Sequence, residues 1–353
     1  MKWKRFLQTI NNLIFSGSMR KNMKNVYQRQ HLKRGPRLVT VGGGTGLSVL
    51  LRGLKEYTSN ITAIVSVADD GGSSGRLRGQ LGVLPPGDLR DCLVALADTE
   101  SAMENLFNYR FTEGGELAGH SLGNLLLVAL ADLTGSFETA LREAGKVLAI
   151  RGKVVPTTFA DLKLGAELVD GSILMGQSFI TKTEKHIKRV FLKPANCRPT
   201  PEAIKAIREA EMIVLGPGSL YTSIIPNLLV PGITEEIKQA SGIKVYVCNV
   251  MTQVGETRGY TAAEHLEALY EHTLVGLVDY LLVNNQSLPA VLLNKYWAEG
   301  VELVNIDKER LSKMSIRVIE APLLKKNDFI RHDSAALAAV LFDLLGEQKA
   351  IGW

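Results

Sequence analysis

Val41 is followed by Gly42-Gly43-Gly44-Thr45-Gly46, and four glycines in five residues let a backbone come close to a phosphate with no Cβ in the way. Thr45 adds a hydroxyl donor. The run is not a P-loop, because no Gly-Lys-Ser/Thr follows, and Leu47 stands where a dinucleotide fingerprint has its third glycine. A tight turn with no ligand is the plainer alternative. A second run, Leu215-Gly216-Pro217-Gly218-Ser219-Leu220-Tyr221-Thr222-Ser223, repeats the logic with Ser219, Tyr221, Thr222 and Ser223 as hydroxyl donors.

Between these lies Asp69-Asp70-Gly71-Gly72-Ser73-Ser74-Gly75. Asp69 falls 23 positions past Gly46, near the ~20-residue offset at which a dinucleotide fold places its ribose-binding acid. Two adjacent carboxylates could equally hold Mg²⁺ or poise a base beside a substrate hydroxyl. A solvated acidic turn is the bland reading. Pro85-Pro-Gly-Asp-Leu-Arg90 delivers Asp88 to a helix start, as a cap or a ligand. In Gly119-His-Ser-Leu-Gly-Asn124, His120 and Asn124 are four apart and share a helix face. Asn249, Thr252 and Glu256 follow another strand, and Arg331-His332-Asp333 could set a guanidinium on a diphosphate. No HxxxH or HExxH occurs, so nothing announces a zinc site built by the protein.

These residues need a scaffold, and the pattern supplies one. Leu38–Val41 reads as a buried strand, Leu47–Glu56 as a helix and Ile61–Ala68 as a second strand, together a βαβ unit. Val190–Leu192, Met212–Leu215, Ile243–Cys248, Tyr280–Val283, Val301–Asn305 and Ile316–Ile319 read as further strands. Helical patterns cover Asp88–Asp98, Leu122–Asp132, Glu202–Ala210, Thr234–Gln239, Thr261–Tyr270 and Ser334–Leu345. The expected fold is α/β: a three-layer Rossmann-like arrangement with a mostly parallel central sheet and a small antiparallel excursion within Lys153–Lys182. Open sheets of this kind take ligands at the carboxyl ends of their strands, where the two glycine runs and the acidic pair would converge.

Composition bounds the rest. With 353 residues, 46% apolar and 22% charged, the chain has the make-up of a globular protein. Ten of its 41 Lys and Arg lie in residues 1–37, which hold no Asp or Glu, so the remainder carries 31 basic against 36 acidic residues. Such a body argues against a nucleic-acid groove. Residues 1–36 read as a flexible basic extension, or as a short helix on an anionic membrane surface. Residues 37–353 read as one α/β domain. Three scattered cysteines fit a reducing compartment.

Taken in order, VGGGTG (41–46), ADDGGSSG (68–75), PPGDLR (85–90), GHSLGN (119–124), LGPGSLYTSIIPNLL (215–229) and CNVMTQVGET (248–257) resemble the YvcK-like gluconeogenesis factor family. That family is a branch of the superfamily containing 2-phospho-L-lactate transferase, and the match runs from Leu38 to the C-terminus. The resemblance implies a cytoplasmic bacterial regulator, needed for normal cell shape and for growth on gluconeogenic carbon, that binds a UDP-sugar such as UDP-N-acetylglucosamine. It implies that Gly42, Gly43, Gly44, Thr45 and Gly46, with Gly216, Gly218, Ser219, Tyr221 and Thr222, hold the diphosphate and sugar. Asn249, Thr252 and Arg331 would add contacts, and Asp69, Asp70, Ser73, Asp88 and Asn124 complete the expected site. A protein partner in carbon or cell-wall metabolism and a homo-oligomer are expected, with no obligatory cofactor. The alternative is a Mg-dependent transferase in which Asp69 or Asp70 binds the metal or acts as base; a dinucleotide dehydrogenase ranks third. The relatives that transfer phospholactate carry a different pattern at Gly218–Ser223, which sets this chain apart from them.

Overall fold

Apolar runs without alternation become the inner strands of a parallel sheet, because helices cover both of its faces. We describe the protein in a computed structural model, which covers residues 30–98, 101–325 and 330–351. The described strands are β1 (Leu38–Gly42), β2 (Ile61–Val65), β3 (Lys153–Pro156), β4 (Lys163–Leu168), β5 (Ile173–Met175), β6 (Ile187–Lys193), β7 (Met212–Leu215), β8 (Ile243–Val247), β9 (Tyr280–Asn284) and β10 (Arg317–Ala321). Seven of them form one parallel sheet in the order β10-β9-β8-β7-β1-β2-β3. Every residue of β1 and β7 is buried. Leu38 stands opposite Ile61 on one side and Met212 on the other.

The chain runs outward from β1 through β2 to β3 and later returns to place β7 on the opposite side of β1. The gap between β1 and β7 is therefore the topological switch point, where open sheets of this type take ligands. Thr200 caps the helix that begins at Pro201, and Thr261 and Glu264 form a capping box for the helix that begins at Ala262. In chain order the helices are α1 (Gly44–Leu54), α2 (Gly72–Leu81), α3 (Gly87–Leu96), α4 (Ser101–Asn108), α5 (Leu122–Thr134), α6 (Phe137–Val147), α7 (Gln177–Ile180), α8 (Pro201–Glu209), α9 (Ile225–Leu228), α10 (Ile233–Gln239), α11 (Ala262–Glu271), α12 (Ala290–Ala298), α13 (Lys308–Ser312) and α14 (Ser334–Ile351). α1 packs between α3 and α14, while α8 and α10 form a separate pair.

The expected α/β architecture is present, and the antiparallel excursion is a second sheet, β5-β4-β6. Its limits differ from the expectation. Lys153–Pro156 joins the parallel sheet at its edge beside β2, and the excursion extends to Lys193, so Val190–Leu192 pairs with β4 and not with a parallel neighbour. Val301–Asn305 is no strand of the main sheet. It lies against the loop after β8, where Thr252 N–H donates to the Glu302 carbonyl, Glu302 N–H donates to Thr252 Oγ1, and Val304 N–H donates to the Val250 carbonyl. The Gly/Ser run after Asp70 forms α2.

Residues 31–36, expected within the basic extension, are tied to the fold. Leu32 is buried, the Ser59 N–H donates to its carbonyl, and Asn60 Nδ2 donates to the carbonyls of Lys33 and Gly35. The expectation for residues 1–29 lies outside the described residues. Among the described residues, no helix is long and apolar enough to cross a membrane.

Candidate functional site

Three loops at the carboxyl edge of the sheet enclose a cavity of about 240 Å³. The loop after β1 supplies Gly43, Gly44, Thr45 and Gly46, and the loop after β7 supplies Pro217, Gly218 and Ser219, with Ser223 one helical turn on. The loop after β8 contributes Asn249, Thr252 and Gln253, and Arg331 and His332 close the wall from the segment before α14. The first two loops touch. A Cβ on Gly46 would lie 2.6 Å from the Pro217 carbonyl oxygen, so only glycine lets α1 begin this close to its neighbour. Gly44 has φ +64, the left-handed region that glycine adopts without strain.

Among the described residues, no Asp or Glu lines the cavity, and Arg331 is the one charged residue on its wall. Two helical segments start at its wall, α1 after Gly43 and a turn of π-helix from Leu220 to Ile224 after Ser219. Neither has a capping side chain at its N-cap or an acid in its first turn, so N–H groups and the positive end of each helix dipole favour an anion. A hydrogen-bonded chain fixes the polar rim. Gln253 Nε2 donates to Ser219 Oγ at 2.9 Å, Asn249 Nδ2 donates to Gln253 Oε1, and Asn249 Oδ1 accepts from Gly218 N–H at 3.2 Å. Below it, Asn227 Nδ2 donates to the carbonyls of Gly42 and Ser223, which fastens the two glycine loops together.

Each helix start is backed by one acid. Asp88 does not cap its own helix; its carboxylate accepts from Gly44 N–H and fills the space that a side chain at Gly43 would need. Burial, with Asp69 and Asp91 nearby, pushes Asp88 up to about 7. Glu256 accepts from Tyr221 N–H at 3.0 Å and from Thr222 Oγ1 at 2.7 Å, and burial raises it to about 7.

Gly42 to Gly46, Gly216, Gly218, Ser219, Asn249, Thr252 and Arg331 thus line the cavity or sit in the loops that form it. The other expected residues are placed elsewhere. Tyr221 and Thr222 turn inward: Tyr221 is buried with its hydroxyl 2.9 Å from that of Tyr260, and Thr222 is spent on Glu256. Asp69 and Asp70 do not act as a pair. Asp70 accepts from Ser178 N–H at 2.8 Å and anchors the start of α7, whereas Asp69 accepts from Gly71 N–H and lies beside Ser74 and Asp88. Ser73 and Asn124 belong to a buried cluster, in which Asn124 Nδ2 donates to Ser73 Oγ and His120 Nδ1 lies 2.9 Å from it. Among the described residues, no group of three or more His, Cys, Asp or Glu is arranged to hold a metal ion. Gln253, Asn227 and His332 are site residues that the motifs contained but did not distinguish.

Fold and cavity together define a Rossmann-like α/β protein with a polar, anion-favouring crevice at its switch point. The family model for 2-phospho-L-lactate transferase CofD matches residues 38–324. The gluconeogenesis factor of Bacillus subtilis is 53% identical over 313 residues, covering 88% of this chain and 99% of the relative. That of Halalkalibacterium halodurans is 50% identical over 307 residues, 87% of this chain and 95% of the relative. Two crystal structures of a protein from Bacillus halodurans superpose with TM-scores of 0.84 and 0.86 at 49% identity, covering 87% and 88% of this chain and 99% and 100% of theirs. The chain belongs to the YvcK-like gluconeogenesis factor family, within the CofD superfamily.

Proposed function

We propose that this chain is a cytoplasmic regulator of carbon metabolism and cell-envelope precursor supply that binds a UDP-sugar such as UDP-N-acetylglucosamine, and so supports normal cell shape and growth on gluconeogenic carbon. The observation that carries the reading is the switch-point cavity, where two helix starts and the Arg331 guanidinium meet with no lining carboxylate among the described residues. A diphosphate suits that wall, because backbone N–H groups and the guanidinium supply donors to its oxygens. The linked Ser219–Gln253–Asn249 rim is suited to orient the attached sugars. Regulation follows when the bound and free forms differ in affinity for a partner protein. Relatives named gluconeogenesis factors agree with this role.

A Mg-dependent transferase of a nucleotide-diphosphate substrate is the second reading. The pairing of Asp69 with Asp88 directly behind Gly43 and Gly44 favours it, because a divalent cation there would join two carboxylates to a phosphate. Titration calorimetry of the full chain with UDP-N-acetylglucosamine, GDP and NAD, with and without Mg²⁺, followed by mass spectrometry of the recovered ligand, separates the two. The regulator binds the UDP-sugar selectively and returns it whole. Arg331→Ala should weaken it by roughly ten- to a hundredfold, the loss of a charge-assisted hydrogen bond to phosphate. A cleaved ligand, or no UDP-sugar binding, defeats the regulator reading.

A further inference from the structure

A second, wider hollow of about 790 Å³ lies between the end of α2, the outer face of α5 and the start of α6. From α5 it takes Leu125, Val128, Ala129 and Asp132, positions i, i+3, i+4 and i+7 of one helix face. Leu81 and Val83, at the end of α2, and Phe159 also line it, and Leu81 is 57% exposed. Only Gly123, Asn124 and Leu127 of α5 are buried, although the helix is apolar around most of its surface. An exposed apolar groove of this kind marks an interaction surface.

The charge at the groove has one sign. Asp132 and Glu138 are the charged residues that line it among the described residues. Glu138 pairs with Arg142 at 3.0 Å, while Asp132 has no ion pair among the described residues. Gly135, the C-cap of α5, lies on the same wall, and no basic residue stands in the last turn of that helix. The negative end of the helix dipole therefore adds to the carboxylates. An apolar floor with an acidic end suits an apolar segment that carries Lys or Arg. A second copy docked face to face would bring the same acids together, and an anionic lipid surface would be repelled.

Both walls of the groove also lead back to the cavity. Asn124 of α5 donates to Ser73 Oγ of α2 at 3.1 Å, Gly87 N–H donates to Ser74 Oγ at 3.1 Å, and Asp88 accepts from Gly44 N–H. We propose that the groove docks an apolar, Lys- or Arg-bearing segment of a partner protein, and that filling of the cavity reports to it through α2 and α5. The coupling, unlike the docking, rests on the reading of the cavity as a nucleotide-sugar site.

The test is fluorescence anisotropy on the full chain with two labelled synthetic peptides, an amphipathic helix of Leu and Lys and its counterpart of Leu and Glu. Wild-type protein should prefer the Leu/Lys peptide by roughly tenfold. Val128→Gln should weaken that peptide by roughly tenfold, and Asp132→Lys should weaken it by roughly fivefold and strengthen the Leu/Glu peptide. Glu309→Lys, an equal change of charge on α13, should alter neither. No loss with Val128→Gln, or the same loss with Glu309→Lys as with Asp132→Lys, overturns the docking. A wild-type dimer that Val128→Gln dissociates in sedimentation gives the face to a second copy and overturns it as well. Saturating UDP-N-acetylglucosamine should shift the affinity for the Leu/Lys peptide by roughly fivefold or more. Binding of the sugar nucleotide without that shift overturns the coupling. Protein that does not bind the sugar nucleotide defeats the reading of the cavity and the coupling with it, while the peptide variants still decide the docking.

Discussion

Asp88 shows how one side chain ties stability to the anion site. Its native pKa, about 7, lies above the ordinary carboxylate range, so between that range and pH 7 the native state holds a proton that the unfolded chain has released. Stability therefore falls as pH rises through this window, and the full penalty is present above it. Asp88→Asn removes the ionisation; thermal melts at pH 5 and pH 8 should show the variant gaining on the wild type at the higher pH. A pH dependence identical to that of the wild type would show that Asp88 does not titrate in this range. The residue types of the site were legible in the sequence, because glycine runs after apolar strands have few other uses. Their directions were not. Nothing in Ser219-Leu-Tyr-Thr-Ser223 shows that Ser219 and Ser223 face the cavity while Tyr221 and Thr222 are spent on Tyr260 and Glu256, since a π-turn sets which side each residue takes. Likewise the adjacent Asp69 and Asp70 read as one site, yet the backbone sends them to Ser74 and to α7.

At the scale of elements, α1 links the anion loop to the segment bearing Arg331 and His332. A Cβ at Gly53 would collide with the Ser334 carbonyl oxygen at the start of α14, so the two helices cross in contact at that point. Gly53→Val should destabilise the protein by about 1–3 kcal/mol through overpacking, and it should also weaken ligand binding, since α14 begins two residues after His332. Urea unfolding and calorimetry check the two effects, and a variant of full stability would show that this crossing is loose. Strands buried on both faces were legible as continuous apolar runs, and helices such as α8 and α11 were legible from their helical spacing. α2 was not, because it carries no apolar stripe. Ser73 meets His120 and Asn124, Ser74 Oγ accepts from Gly87 N–H, and Arg78 binds Asp161, so contacts distant in sequence make the helix. Val301–Asn305 has the composition of a strand but pairs with the loop after β8, a choice set by tertiary position.

Over the whole molecule, the return of the chain from β3 to β7 opens the crevice at the switch point, and the loop after β8 and the Arg331 segment complete it from distant parts of the sequence. The parallel order was legible in the alternation of strands and helices. The neighbours of β1 were not, because strand order depends on which helical face meets which side of the sheet. The body's slight acidic excess leaves an anionic ligand to be drawn by local donors and not by net charge. The most direct test of this account is a crystal structure of the full chain with UDP-N-acetylglucosamine. The diphosphate should lie between the Gly43–Gly46 and Gly218–Ser219 loops, with the Arg331 guanidinium on a phosphate oxygen. A diphosphate bound away from these loops, with Arg331 turned to solvent, would contradict it.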